Sequence, residues 1–251
     1  DDNLSFFNPK AGITYRASEA SRLYLSYAKA QREPNRSDYE NGTPKPESLN
    51  DFEAGWRFKK EKVQLQANLY YMDYENQLVL TGALDAVGEP IRTNSGDSYR
   101  FGLEIEAAIQ FAEQWVWQPN LALSSNKNKD FYFKRDGQLQ NLGTTNISYS
   151  PNVVGASNLV FAPSTVFRVA LLPKYVGEQF MGNIDADLSK LEAYFTNDFN
   201  ISYVWTPNSW IKEAQFSLLV NNIFNALYTS NGYFYTFDDD YSVAGVVTTI
   251  E

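Results

Sequence analysis

Residues 63–71 have the sequence VQLQANLYY, in which apolar and polar side chains alternate along the chain. The apolar positions are Val63, Leu65, Ala67, Leu69 and Tyr71. Successive side chains of a β-strand point to opposite faces, whereas the side chains of a helix repeat about every 3.6 residues. This stretch therefore predicts a β-strand with one apolar face and one face rich in amides.

The same alternation recurs in both halves of the chain. It extends over residues 99–109, whose polar positions are charged, and over residues 193–205, where only Asn197 interrupts the apolar row. Shorter versions cover residues 22–29, 167–175 and 214–220. We count about eleven candidate strands, and many have the roughly 9 to 11 residues that a tilted strand needs to cross the hydrocarbon of a bilayer.

The connections between these strands alternate between tight and long. Tight turns are predicted at Ala17–Ser21, Lys59–Lys62, Phe111–Glu113, Pro163–Thr165, Pro207–Ile211 and Asn221–Asn225. Long connections are predicted at Gln31–Asn50, Asn76–Ser98, Asn126–Asn152 and Gly177–Leu191. Such alternation indicates an up-and-down antiparallel sheet with its long loops at one end. In outer-membrane barrels the short turns are periplasmic and the long loops extracellular.

Composition excludes several functional classes. The chain has 251 residues, a net charge of −9 and no long basic run, so we expect no nucleic-acid partner. It has no Cys and no His, which excludes thiol chemistry, thiolate or imidazole zinc sites and Ser-His triads. No apolar run approaches the roughly 18 residues of a spanning helix, so a membrane role must use strands. The chain opens with Asp1-Asp2-Asn3, and we expect any export signal to lie upstream or to have been removed.

Aromatic residues support a membrane interpretation. The chain contains 17 Tyr, 17 Phe and 5 Trp. Apolar faces end repeatedly in aromatic residues, namely at Tyr71, Tyr74, Trp115, Trp117, Tyr203, Trp205 and Trp210. This placement is typical of the aromatic girdles at the two lipid interfaces. Pro119 and Pro173 fall within predicted strands, where each removes a hydrogen-bond donor, so we expect them at bulges or beyond the bilayer.

Two other functional classes share parts of this pattern. A soluble or surface β-sandwich that binds carbohydrate also has alternating strands, although its strands are shorter and its turns more evenly spaced. An outer-membrane barrel enzyme is disfavoured by the missing His, yet a Ser or an Asp/Glu mechanism would survive that loss. No pair of carboxylates has a spacing that implies catalysis. We therefore predict that the chain is not an enzyme and has no cofactor.

Several short motifs match one family in order along the chain. The segment Asn8–Gly12, the strand at Leu23–Ala28 and Arg32-Glu33-Pro34 resemble a hairpin from the middle of its barrel. Lys45-Pro46-Glu47 and Phe52–Gly55 are similar to the start of its next strand. Further matches are the strand Gly102–Glu106 and the segment Val220–Asn225 followed by Tyr228. Together these motifs resemble the C-terminal part of the β-barrel of TonB-dependent receptors.

The resemblance implies a partial barrel in the bacterial outer membrane. The fold would be an all-β, antiparallel up-and-down transmembrane β-barrel containing about eleven of roughly 22 strands. Residues 1–251 would form its C-terminal portion, and the plug domain and the first part of the barrel would be absent. The family's activity would be import of a scarce ligand, a ferric siderophore or a similar chelate, energised by TonB and its inner-membrane motor through the plug. Cobalamin, glycan and peptide ligands remain open.

Two sets of residues are candidates for functional contacts. An Arg or Lys facing lipid costs about 2–4 kcal/mol near the bilayer midplane, so charged residues within strands should face the lumen. These residues are Arg100, Glu104, Glu106, Arg168 and Lys174, and by resemblance they would contact the plug. Aromatic side chains that could stack on a planar chelate or a sugar are Tyr233, Phe234 and Tyr235, near Tyr228 and Phe237. These aromatics could equally form an interface girdle. Asp238–Asp240 lack the Gly-turn spacing of a calcium loop, so no metal site is predicted.

Overall fold

The computed structural model describes residues 4–40, 42–84, 90–94, 96–135, 138–207, 210–232, 236–237 and 246–247. Ten strands follow one another in a single antiparallel sheet. They are β1 (Lys10–Arg16), β2 (Ser21–Arg32), β3 (Glu47–Lys60), β4 (Val63–Glu75), β5 (Asp97–Ala112), β6 (Trp115–Lys129), β7 (Val153–Phe161), β8 (Phe167–Val176), β9 (Tyr194–Trp205) and β10 (Ala214–Val220).

Each strand pairs with the next one along the chain, from β1 to β10. An eleventh strand of two residues, Thr145–Asn146, pairs with the end of β6. The predicted up-and-down antiparallel sheet of about eleven strands is therefore confirmed. Neighbouring strands are joined locally because a short turn places the second strand beside the first at little cost in loop entropy.

The alternation of connection lengths is also confirmed. Two residues join β3 to β4 and β5 to β6, and longer segments join β2 to β3, β4 to β5, β6 to β7 and β8 to β9. The long connections contain their own short elements: a helix at Arg36–Glu40, a 3-10 helix at Asp187–Ser189 and paired strands at Leu78–Leu84 with Pro90–Asn94, Tyr132–Arg135 with Gln138–Asn141, and Gln179–Phe180 with Lys190–Leu191. All four long connections lie at the same end of the sheet, which we call the long-loop end.

The turn predicted at Asn221–Asn225 has a different position from the other tight turns. It follows β10 at the long-loop end, where the Ile223 amide donates to the Asn197 carbonyl at 2.8 Å. Asn222 and Asn225 have positive φ angles of 49° and 50°, a conformation that Asn tolerates better than most residues. The segment is compact as expected, but the strict alternation of tight and long connections ends there.

The two faces of the sheet differ in chemistry. Residues such as Leu25, Phe216 and Leu218 lie on the apolar face and are 58–59% exposed. Asn68, Ser98 and other buried polar residues lie on the opposite, polar face. Within the described ranges no second sheet packs against the apolar face, since the other sheets are two-stranded. The β-sandwich hypothesis is therefore wrong for this chain, because a sandwich buries its apolar faces against each other.

Most predicted girdle residues lie on the apolar face. Trp115 and Trp117 begin β6, and Tyr203 and Trp205 end β9, so all four are at the tight-turn end. Tyr71 lies toward the long-loop end, with its ring 6.2 Å from that of Tyr99. Tyr74 was assigned wrongly. It is on the polar face, because it is an even number of residues from Asn68 and strand side chains alternate.

The bulges predicted at the two strand prolines are absent, and their position relative to the bilayer stays a prediction. Pro119 and Pro173 lie within β6 and β8, and the register is not shifted at either position. Instead, each ladder loses two residue pairs on one side of the proline, between β5 and β6 and between β7 and β8. On its other side each proline remains paired, Pro119 with Ser157 and Pro173 with Asn197. A missing N–H donor is thus accommodated by a local gap, without a bulge.

Among the described residues, no helix has both the length and the apolar character required to cross a bilayer. This result does not concern crossing by strands.

Candidate functional site

The polar face carries rows of side chains that cross several strands, because directly paired residues lie on the same face. One row passes through Tyr24, Gly55, Asn68 and Glu104. The Tyr24 hydroxyl donates to Asn68 Oδ1 at 2.9 Å, and Asn68 Nδ2 donates to Glu104 Oε2 at 3.5 Å. The Arg57 guanidinium lies 5.3 Å from the centroid of the Tyr24 ring. Four neighbouring strands are therefore joined by side chains as well as by the backbone.

Two of the predicted luminal residues have partners within the chain. Glu104 accepts the bond from Asn68 just described. Arg100 Nη1 donates to Ser150 Oγ at 3.2 Å, and its guanidinium lies 6.0 Å from the centroid of the Tyr74 ring. Ser150 belongs to the long connection between β6 and β7. Arg100 thus attaches that loop to the sheet, a contact that the sequence did not indicate.

The other three predicted residues are Glu106, Arg168 and Lys174. All are exposed on the polar face, and none has a hydrogen-bond or ion-pair partner among the residues that the structure describes. Glu106 and Lys174 lie on the same cross-strand row, which runs between them through Asn120 and Ala156. The five predicted side chains therefore share a face but do not form one cluster. Their contact with a plug domain stays a prediction.

Two tyrosine rings cover glycines on the polar face. A Cβ at Gly55 would lie 2.0 Å from the Tyr24 ring, and a Cβ at Gly102 would lie 2.4 Å from the Tyr70 hydroxyl. Each ring lies over the bare backbone of the neighbouring strand, and this packing compensates for the missing side chain. Glycines inside long alternating strands were the available sequence signal, but which tyrosine covers which glycine depends on the register.

The long loops form a packed layer at their end of the sheet. Val79, Phe131 and Phe133 form a buried cluster with Ile184 packed against it, and Phe131 is 1% exposed. These residues come from three different long connections. The described loops are therefore held together by an apolar centre of their own, which the alternation pattern of the strands could not predict.

Asn183 links two of these loops by hydrogen bonds. It is 3% exposed, and its Oδ1 accepts from the Ser148 amide at 2.9 Å and from Asn128 Nδ2 at 3.4 Å. The adjacent Asp185 accepts from the Asn146 amide at 2.9 Å and from the Asn146 side chain at 3.0 Å. The connections β6–β7 and β8–β9 are thus fastened together by buried polar contacts.

A second pair of loops is joined in the same manner. Asp38, in the short helix between β2 and β3, forms an ion pair with Arg92 at 3.3 Å. Asn94 Oδ1 accepts from the Lys45 amide at 2.7 Å. These contacts connect the β2–β3 loop to the β4–β5 loop, so two pairs of loops are joined at the long-loop end.

We expect substitution of Asn183 by alanine to loosen the β6–β7 loop. The partly buried Ser148 amide would lose its acceptor, and a donor left unsatisfied away from water costs about 1–3 kcal/mol. Hydrogen exchange of the amides around residue 148 should become about tenfold faster or more. Leu188→Ala is the matched control, because Leu188 belongs to the same loop as Asn183 and is 61% exposed. Equal exchange rates in the two variants would contradict the role assigned to Asn183.

A comparison with models of protein families shows which family this chain resembles. The model described as "TonB dependent receptor-like, beta-barrel" matches residues 1–223. The chain belongs to this family. The motifs at Gly102–Glu106 and at the end of β10 therefore belong to a barrel of TonB-dependent receptors. A comparison with curated protein sequences gives no match.

Solved receptors have a similar fold. The siderophore receptor PiuA from Acinetobacter baumannii superimposes with a TM-score of 0.66 at 17% identity, covering 96% of this chain and 33% of that chain. The copper transporter OprC gives 0.69 at 18% identity, with 88% and 34% covered. The ferric yersiniabactin uptake receptor FyuA from Yersinia pestis gives 0.62 at 16% identity, with 96% and 35% covered. The chain thus spans about a third of the length of these receptors, and the likeness establishes the fold.

The segment after β10 leads to the aromatic residues that the sequence analysis considered as ligand contacts. Tyr228 stacks on Tyr194 with a centroid distance of 4.3 Å, and the Tyr149 hydroxyl donates to the Gly232 carbonyl. Tyr233, Phe234 and Tyr235 themselves lie outside the described residues. The chain leading to them is therefore held against the β6–β7 loop and the start of β9.

A cleft lies between this segment and the β8–β9 loop, lined by Met181, Leu188, Lys190, Leu227 and Tyr228 among others. Lys190 Nζ lies 3.4 Å from Glu192 and 3.7 Å from Glu178, and hydrogen bonding to Glu192 raises the pKa of the Lys190 ammonium. In the described part of the chain, no group of three or more acidic side chains is placed to hold a metal ion. The cleft thus combines exposed apolar surface with a lysine that lies between two carboxylates.

Proposed function

We propose that this receptor imports a ferric siderophore or a similar chelate across the bacterial outer membrane, energised by TonB. The observation that carries the proposal is the division of the ten-strand sheet into an apolar and a polar face, within a chain of this family. In outer-membrane barrels the outer surface is apolar and the lumen is polar. Accordingly, we assign the apolar face to lipid and the polar face to the lumen.

The rest of the receptor would complete this barrel. The free edges of β1 and β10 have no partner strand within the described residues. Unpaired edges are not stable in hydrocarbon, because backbone groups there have no water to bind. We propose that further strands of the same receptor pair with both edges, and that a plug domain fills the lumen and couples the receptor to TonB and its inner-membrane motor.

Ligand capture is proposed for the long-loop end. The two fastened pairs of loops form a preorganised surface there, and preorganisation lowers the entropy lost on binding. Tyr233, Phe234 and Tyr235 follow the segment that lines the cleft beside Lys190, so their aromatic rings are proposed to contact the chelate. A siderophore receptor and a yersiniabactin receptor among the similar structures support this ligand class, whereas OprC is a copper transporter.

Uptake of radiolabelled iron tests the proposal. Cells that produce the complete receptor should accumulate iron from a ferric siderophore, and deletion of TonB should abolish this accumulation. Cells that lack the receptor but retain TonB are the control. Uptake that persists without TonB would indicate passive diffusion, and the absence of uptake with every ferric chelate would contradict the ligand class.

Reversing the charge at Arg168 tests the proposed contact with the plug. Arg168→Glu should weaken retention of the plug by up to about fivefold while the barrel stays folded, because one exposed ion pair contributes at most about 1 kcal/mol. Retention can be measured as the rate at which protease cleaves the plug in detergent. Lys62→Glu, in the tight turn before β4, is the control. Unchanged transport together with unchanged detergent stability would count against the contact.

A further inference from the structure

Three arginines face one another across the first three strands. Arg16 of β1 pairs directly with Arg22 of β2, and Arg22 pairs with Arg57 of β3. All three lie on the polar face near the tight turns, because Arg57 is two residues from Gly55 and alternate residues share a face. We call these residues the arginine row. It was not among the sites predicted from the sequence.

Within the described residues no carboxylate forms an ion pair with the arginine row; the nearest acid on the same face of β3 is Glu53, four residues from Arg57. All three side chains are exposed, and none forms an ion pair with any residue in the described ranges. Across β4 and β5 the same register row continues through Gln66 to Glu106, so a carboxylate comes only two strands beyond Arg57. Like charges in directly paired positions destabilise a sheet. An anionic partner from outside this sheet would offset that repulsion.

The geometry favours several carboxylates over one small anion. Directly paired side chains on neighbouring strands are about 5 Å apart at Cβ, so the row presents three guanidinium groups in a line. A guanidinium binds a carboxylate through two parallel hydrogen bonds. A polypeptide with several Asp or Glu side chains matches this line. The row is also at the opposite end of the sheet from the loops proposed to capture the chelate.

We propose that the arginine row binds an acidic segment of the receptor's own plug domain and so fixes the orientation of that domain in the lumen. This inference rests on the proposed function, since it requires a plug inside the barrel. Charge complementarity supports this occupant, and so does the threefold greater length of the similar solved receptors.

Carbodiimide coupling in the complete receptor tests the inference. Arg22→Lys keeps the positive charge and introduces an amine, which a carbodiimide joins only to a carboxylate in direct contact. Mass spectrometry of the coupled peptides is expected to show a bond to an Asp or Glu of the plug, outside residues 1–251. Bonds confined to carboxylates within residues 1–251, or no bond at position 22, would overturn the inference. A bond to the chelate alone, formed only when chelate is added, would overturn it as well.

Two controls and a transport assay make the result specific. Arg22→Gln removes the amine and should give no product at position 22. Native Lys129, whose Nζ lies 2.9 Å from Asp73 Oδ1, should couple to Asp73 and so reports the coupling efficiency in each sample. In 1 M salt the Debye length falls to about 3 Å, so the yield of coupled product from Arg22→Lys should drop severalfold.

Iron uptake by the Arg22→Lys receptor is measured in parallel. Intact TonB-dependent uptake without coupling would refute the arginine-row contact alone, whereas loss of uptake in the unmodified receptor would refute the proposed function.

Discussion

Replacement of Leu121 by arginine is expected to destabilise the folded receptor in lipid by about 2–4 kcal/mol. Leu121 lies on the apolar face of β6, four residues beyond Trp117, and its cross-strand partner is Ile105. Both residues are exposed, Leu121 by 38% and Ile105 by 40%. If acyl chains cover this face, a guanidinium at position 121 must leave water, and that desolvation is the source of the cost. Unfolding by guanidinium chloride in liposomes, monitored by tryptophan fluorescence, measures the change in the free energy of unfolding.

The adjacent residue provides the matched control. Ala122 lies on the polar face and pairs with Glu104 of β5, so Ala122→Arg places the same cation beside a carboxylate in a wet lumen. Its stability should stay within about 1 kcal/mol of the unmodified receptor. A large loss of stability in both variants would indicate that both positions are shielded from water. No loss in either would mean that lipid does not contact the apolar face, which would remove the basis of the importer proposal.

Replacement of Gly55 by alanine is expected to lower stability by about 1–3 kcal/mol. The added Cβ would occupy the position of the Tyr24 ring, at 2.0 Å from its nearest atom. The ring must move away, and the bond from its hydroxyl to Asn68 Oδ1 is then lost. The same unfolding assay detects the change, and Tyr24→Phe in the unmodified background separates the hydrogen-bond contribution from the packing contribution.

Gly155→Ala is the control for this substitution. A Cβ at Gly155 would have Leu121 Cδ1 as its nearest neighbour at 3.6 Å, an ordinary van der Waals contact. Gly155 is also inside a strand, so both variants change backbone freedom similarly. Equal stability of the two alanine variants would show that Tyr24 repacks without cost and that its position over Gly55 contributes nothing.

The ordered loops bear on how the receptor would bind its ligand. Asn183 and Asp185 fasten one pair of loops, and the ion pair between Asp38 and Arg92 fastens the other. A chelate would therefore meet a surface that is already arranged, so little binding energy would be lost in ordering the loops. If the fastening contacts are removed, affinity should fall mainly through this entropy term while the barrel stays intact.

The alternation of side chains was sufficient to predict the strands, their order and their faces. Leu65 and Asn68 illustrate why, since a strand exposes alternate residues on opposite sides regardless of its neighbours. The same rule, applied to the end of the same strand, would have assigned Tyr74 to the polar face. The prediction followed the aromatic character of Tyr74 instead. The bulges expected at the prolines are absent for a different reason. A ladder with partners on both sides can lose two pairs beside Pro119 or Pro173 and keep its register.

The sequence by itself determined the fold class, the alternation of turn lengths and the chemistry of each face, because these depend on local spacing along the chain. Only the tertiary structure decided which residues meet across strands and loops. Arg16, Arg22 and Arg57 form a row, and Tyr24 covers Gly55, through the register of three paired strands. Register is set jointly by the turns and by packing between strands, and no single strand contains that information.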